Sequence, residues 1–301
     1  MGLAIAVAPF REYDGVVGIG EKADFTTLQA ADDQLDAGAY SLYVKQATYA
    51  AGLTVSTNNA HIYCEPGTVI EAAIILSGDD VTLKLGAGCD IQGILTMSGN
   101  NVSVLCENGC DLDRTILSGN FGYLNGGGWG TVCLTTSDEA IQVTGEDCIV
   151  ENIAAHTATG GSASDAVEVP AGAVRNVIKN VKVIDSDSRG IHARGAQGLV
   201  EGCLILGSDS DGIRVDAVEN RIIGNQVIAA GTDGIHVSAS GDNTVINNNI
   251  VKDQGAQAID ILADAEDCTI VGNRVDDLGT SNGVVDNSGT STAAGNEETA
   301  F

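Results

Sequence analysis

Two different landmarks in this chain recur at one interval, and that periodicity limits the fold more than any other property of the sequence. Gly67-Thr-Val-Ile70, Gly88-Cys-Asp-Ile91 and Gly109-Cys-Asp-Leu112 begin at positions 67, 88 and 109, a step of 21. Ser77-Gly78-Asp-Asp-Val81 and Ser98-Gly99-Asn-Asn-Val102 also lie 21 apart, and a shortened Ser118-Gly119-Asn120-Phe121 follows. In the second half the unit is a Gly or Ala before alternating apolar residues. It occurs as Ala166-Val-Glu-Val169, Gly190-Ile-His-Ala193, Gly212-Ile-Arg-Val215, Gly234-Ile-His-Val237, Ala258-Ile-Asp-Ile261 and Gly283-Val-Val-Asp286, in steps of 24, 22, 22, 24 and 25. A second track, Val181-Lys-Val183, Cys203-Leu-Ile205, Asn225-Gln-Val227, Asn248-Asn-Ile250 and Asn273-Arg-Val275, moves with it by 22, 22, 23 and 25. Self-similarity at such a period marks a stacked repeat.

Alternation over three to five residues, punctuated by Gly, Asn, Asp or Ser, reads as short strands with one buried face. None of these strands buries its apolar face alone. Stacking each coil on the last at ~4.8 Å pairs every strand with its successor and makes one continuous core, so about eleven coils form a rod on the order of 50 Å long. The predicted fold is therefore all-β, a right-handed single-stranded parallel β-helix. No apolar stripe at helical spacing persists through the repeats, which excludes stacked helical pairs. Glycine at 39 residues with aromatics at 4% fits tight corners around a core of small and β-branched side chains.

An open end of such a stack is an edge and needs a cover. Phe25, Leu28, Ala31 and Leu35 fall on one helical face behind Asp24 or Thr26 as the expected cap. Tyr40-Ser-Leu-Tyr-Val44 and Gly52-Leu-Thr-Val55 then alternate as first-coil strands. The expected organisation is an N-terminal arm over 1–23, a capping helix over 24–38, the β-helix over 39–287 and a polar tail over 288–301.

Asp24-Phe-Thr-Thr-Leu-Gln, with Leu42-Tyr-Val44 and Ala47-Thr-Tyr49 behind it, resembles the opening of pectin-lyase-like β-helix proteins. As architecture the resemblance covers residues 24 to about 287. The superfamily includes pectate lyases, polygalacturonases, pectin esterases, epimerases and the tail or spike proteins of phages, so it implies a fold and leaves the reaction to the site.

The formal charge of −27, from 41 acidic against 14 basic residues, disfavours nucleic acid and anionic lipid as partners. The apolar content of 44% is too high and too regular for a disordered acidic chain. The opening Met1-Gly-Leu-Ala-Ile-Ala-Val-Ala-Pro9-Phe-Arg11 has no basic region before its short apolar run, and reads poorly as a secretory leader. No apolar stretch is long enough to span a membrane. Eight cysteines show no paired CxxC spacing and read as reduced, small apolar residues inside coils.

Stacking places equivalent residues in columns. Between the two inward apolar residues of the Gly-Ile-x-Val unit, Glu168, His192, Arg214, His236 and Asp260 point outward; just before the unit stand Asp165, Arg189, Asp211, Asp233 and Gln257. As a carbohydrate groove, Asp211 and Asp233 with Asp209 beside them supply paired carboxylates. His192 or His236 carry protons, and Arg189 or Arg214 bind a sugar carboxylate, with Glu168 and Asp260 as further contacts. Ser-Asp211-Gly-Ile and Thr-Asp233-Gly-Ile resemble a fragment of the polygalacturonase signature. The adjacent Asp pair, Gly-His-Gly and Arg-Ile-Lys of that family do not follow, and a solvated ladder of mixed charge is the bland reading of the same stripe.

Elsewhere Asn247-Asn248-Asn249 with Asn225 and Asn273 reads as a hydrogen-bonded corner ladder, and His61 and His156 stand apart. Trp129, in Gly126-Gly-Gly-Trp-Gly130, is either a sugar platform or a loop residue packed back on the solenoid. Acidic pairs are a weak Ca²⁺ signal without an EF-hand or Gly-Gly-x-Gly-x-Asp repeat. No cofactor and no metal site is otherwise expected.

The leading expectation is a structural virion protein of a tailed phage, a capsid decoration or tail component. It would contact other virion proteins through both terminal segments, be assembled in the host cytoplasm, and have a homotrimeric state implied by virion relatives. The alternative is a polysaccharide lyase or glycoside hydrolase, and a further one is a carbohydrate-binding module that binds glycan without turnover.

Overall fold

The computed structural model describes residues 13–18, 23–35, 40–135, 138–157, 164–275, 283–288 and 290–298. Its strands form three parallel sheets of 13, 12 and 11 strands, and among the described residues strands pair with those a full coil away. The result is the right-handed β-solenoid of about eleven turns that the repeats predict. Registers are unbroken along the axis. In the first sheet Leu42, Ile62, Leu83, Val104, Leu124, Val150 and Ile178 follow one another as cross-strand partners, and all lie in the buried core. Each fully buried aliphatic side chain of this kind contributes about 1.5–3 kcal/mol of transfer free energy, which no single three-residue strand could supply alone.

From Glu151 onward the corner from first to second sheet has a fixed length. Strands ending at Glu151, Lys179, Glu201, Ile223, Asn247 and Val271 are followed after two residues by strands starting at Ala154, Lys182, Leu204, Gln226, Ile250 and Arg274. The first residue of each corner has positive φ and is Asn152, Asn180, Gly202, Gly224, Asn248 or Gly272. These are the residue types that enter the left-handed region at least cost, so the corner geometry accounts for the Asn and Gly punctuation of the second track. The second corner residue points inward. Where it is Asn, a ladder forms: Asn249 Oδ1 accepts from the Asn225 amide N at 2.8 Å, and Asn273 Oδ1 accepts from the Asn249 amide N at 2.9 Å.

The third sheet carries the Gly-Ile-x-Val units. A Cβ on Gly234 would lie 2.1 Å from Val251 Cγ1, and one on Gly212 2.2 Å from Val227 Cγ1. Glycine there lets the second-sheet valines close under the strand that follows.

Three boundaries differ from expectation. The helix runs Leu28–Leu35, and its cap is Thr27, whose Oγ1 accepts from the Ala30 amide at 3.2 Å; Asp24 instead accepts from the Val16 amide, and Thr26 caps nothing described. Leu28 and Ala31 are buried as predicted. Within the expected N-terminal arm, Gly15–Val17 pairs with Leu42–Val44 as the outermost strand of the first sheet; residues 1–12 lie outside the described residues. Within the expected tail, Thr292–Ala294 pairs with Thr269–Val271, and Glu297–Glu298 with Arg274–Val275. This last coil has an exposed outer strand and therefore no apolar alternation to read. All eight cysteines are buried and free. No described helix is long and apolar enough to cross a membrane.

Candidate functional site

The third sheet aligns the outward column as the alternation requires. Glu168, His192, Arg214, His236 and Asp260 are successive cross-strand partners. The column ahead of it is held by backbone bonds one coil apart, from Gly190 N to Asp211 O, Gly212 N to Asp233 O and Gly234 N to Gln257 O. Unlike a solvated ladder, these side chains are withdrawn from water. Asp165, Glu168, His192, Asp211, Asp233, His236 and Asp260 are each no more than 9% exposed.

They form two layers. In the first, His192 is gripped at both ring nitrogens: Nδ1 lies 2.8 Å from Asp165 Oδ2 and Nε2 2.8 Å from Asp216 Oδ2. Burial pushes this imidazole down most strongly, but the bonds to Asp165 and Asp216 outweigh it and hold it above its ordinary 6.5. Burial likewise pushes the Asp165 and Asp216 carboxyls up, and their bonds to His192 bring both below the usual carboxylate range. Arginines supply the remaining positive charge. Arg189 Nη1 stands 3.5 Å from Asp165 Oδ1, Arg194 bonds Glu168, and Arg214 Nε meets both Asp216 oxygens at 2.9 and 3.1 Å.

In the second layer His236 Nδ1 lies 3.1 Å from Asp233 Oδ2 and 3.2 Å from Asp260 Oδ2. Burial lowers this imidazole and the hydrogen bond it donates to Asp233 raises it, with a net rise. Burial and then the Asp233 charge raise the Asp260 carboxyl. Asp211 accepts the Thr232 hydroxyl and, at 3.4 Å, the Asp233 amide. Two sets bring one ligand atom per residue within 4.8 Å of one another, Asp165 with Glu168 and His192, and Asp211 with Asp233 and His236.

Of the sequence candidates, Asp211, Asp233, His192, His236, Arg189, Arg214, Glu168 and Asp260 therefore meet on one face. Asp209 does not: it is exposed in the turn after Leu204–Ser208, with no described contact to either layer. Trp129 lies between strands of the first and second sheets and donates its indole N–H to the Asn180 carbonyl at 2.8 Å, packing back on the solenoid. His61 and His156 join neither layer among the described contacts. Sequence reasoning missed Arg194 and Asp216, each one residue past its strand. Their spacing of 22 was the available signal.

The model of the right-handed β-helix region matches residues 102–275, more than half of the chain. None of the curated proteins matches it. Among solved structures it is similar to the A-module of a mannuronan C-5 epimerase from Azotobacter vinelandii, at 13% identity and TM-score 0.56 over 91% of this chain and 94% of that one. A double mutant of a periplasmic alginate epimerase gives 12% identity and TM-score 0.56 over 86% and 77%. The catalytic domain of a GH87 α-1,3-glucanase gives 14% and 0.58 over 96% and 70%. At these identities the likeness is one of fold.

Proposed function

The chain belongs to the right-handed β-helix family, and from that premise we propose that it cleaves a polysaccharide at the charged face of its third sheet, as a glycoside hydrolase in preference to a lyase. The carrying observation is the burial of two histidines among carboxylates on an outward strand face. A projecting scaffold gains nothing from desolvating such groups, whereas acid and base chemistry requires neighbouring carboxyls held in different protonation tendencies. This favours the enzyme expectation over the virion scaffold.

Asp260, raised by burial, is suited to keep a proton for a leaving glycosidic oxygen. Asp211 and Asp233 present oxygens within 4.8 Å of each other and of a His236 nitrogen. Either of them then serves as nucleophile or base beside Asp260, in the manner of the paired carboxyls of retaining hydrolysis, about 5 Å apart. The first layer acts as the wall that fixes the second, through Arg214 shared between Asp216 and Asp211. A lyase needs free positive charge to neutralise a uronate, yet Arg189, Arg194 and Arg214 are already paired with carboxylates. With a chain charge of −27, a neutral glycan is the better substrate.

The test is a panel of neutral and acidic polysaccharides, read for new reducing ends and for unsaturated products. Reducing ends from a neutral glycan, with Asp233→Asn and Asp260→Asn each lowering the rate about 100-fold or more, are expected. Binding without turnover makes the chain a carbohydrate-binding module and ends the hydrolase reading. Unsaturated products transfer the reading to a lyase.

A further inference from the structure

The two layers contain similar ligands but not similar charge. In the first, Asp165, Glu168 and Asp216 face His192, Arg189, Arg194 and Arg214. In the second, Asp211, Asp233 and Asp260 face His236 and a share of Arg214, whose Nε lies on Asp216 and whose Nη1 stands 3.5 Å from Asp211. Among the described residues no other cation pairs with Asp233 or Asp260. Three carboxylates at 4–8% exposure thus share one imidazole, which carries at most one positive charge, and one guanidinium divided between Asp211 and Asp216.

The spacing of the donor atoms is as informative as the charge. One Nδ1–H points at one acceptor, yet Nδ1 stands nearly equidistant from Asp233 Oδ2 and Asp260 Oδ2, at 3.1 and 3.2 Å. Ligands bound at about 2.0–2.2 Å around a tetrahedral ion lie roughly 3.3 Å apart, which is close to the separation of Nδ1 from each of these two oxygens. The Asp211 carboxylate lies within reach as a fourth ligand. We propose that Asp211, Asp233, His236 and Asp260 bind one divalent cation of the manganese-to-zinc series. One imidazole with carboxylate oxygens suits these ions; calcium prefers oxygen alone, and copper(I) prefers sulfur. The ion replaces the proton on Nδ1, so binding releases protons and weakens in acid. Its effect on turnover rests on the function proposed above: an ion held by Asp260, Asp233 and Asp211 occupies the acid and the nucleophile or base, and slows hydrolysis.

The full chain, stripped with chelator and dialysed against MnCl₂ without any glycan, reads the site directly. Manganese is chosen because buried thiols do not favour it. One Mn²⁺ per chain is expected, with ¹⁴N coupling from one imidazole in its pulsed paramagnetic resonance spectrum. Asp260→Asn and His236→Gln should each weaken binding by roughly 10- to 100-fold, at least the loss seen when an outer partner of a metal ligand is removed, while Asp165→Asn binds as the parent does. No stoichiometric Mn²⁺, an ion without nitrogen coupling in the parent, or loss in Asp165→Asn with retention in Asp260→Asn each overturns the proposal. The coupling measurement needs no variant and so stands even if one misfolds. Ion binding without cleavage of any glycan leaves this site standing and removes the hydrolase; cleavage without ion binding does the reverse.

Discussion

His192 is the residue at which the charged face meets stability. With a carboxylate at 2.8 Å from each ring nitrogen, both nitrogens donate and the imidazolium is the favoured form. A folded-state value raised above 6.5 contributes stability that is complete below the unfolded value and is lost as pH rises through the folded one; His236 acts in the same direction. The depressed Asp165 and Asp216 contribute stability that is present above their ordinary 3.8 and lost as pH falls. Stability should therefore peak between those values. Urea unfolding is expected to show a more stable chain at about pH 5.5 than at about pH 8, and His192→Gln should shrink that difference. An unchanged difference in the variant removes this account. The placement of His192 was legible because alternation fixes which side chains leave the core. Its partner Asp216 was not, because it lies beyond the strand, where period-2 reasoning stops.

At the scale of elements, the two-residue corner sets the geometry of the later coils. Asn247, Asn248 and Asn249 look alike in sequence and differ by position: Asn247 ends a strand, Asn248 takes φ 56°, and Asn249 turns into the core. Asn249 Nδ2 donates to the Ile222 carbonyl at 2.9 Å, and its Oδ1 accepts from the Asn225 amide. Asn249→Ala leaves both backbone groups buried and unmet, so it should cost about 2–3 kcal/mol in chemical denaturation, whereas Asn247→Ala should cost under about 0.5 kcal/mol. Equal losses at the two positions sink this division of labour. The sequence foretold a ladder of asparagines at a corner, but parity within three identical letters needed the turn geometry to settle it.

For the whole molecule, stability is approximately a sum over neighbouring coils. The helix covers the first coils, where Leu28 and Ala31 are buried, while Thr292–Ala294 in the final coil is exposed. Cys268, near that polar coil, should become reactive to a thiol reagent at lower denaturant than Cys64, which lies under the helix-capped end and whose thiol burial pushes up to about 12. Simultaneous labelling of both would mean that the rod unfolds as one unit. Repeat period and core were plain from the sequence because stacking repeats them; the strand at Thr292–Ala294 was not, because its exposed side chains are spared the apolar rule.

The fixed corner has a counterpart. From second to third sheet the link is four residues after Ser186, Ser208 and Ala230, six after Lys252 and nine after Thr157, yet the strands that follow remain paired. Over these later coils one edge of the rod thus keeps time while another varies in length, and the variable edge borders the buried histidines. New loops can be grafted beside the charged face without retuning the stack that carries it.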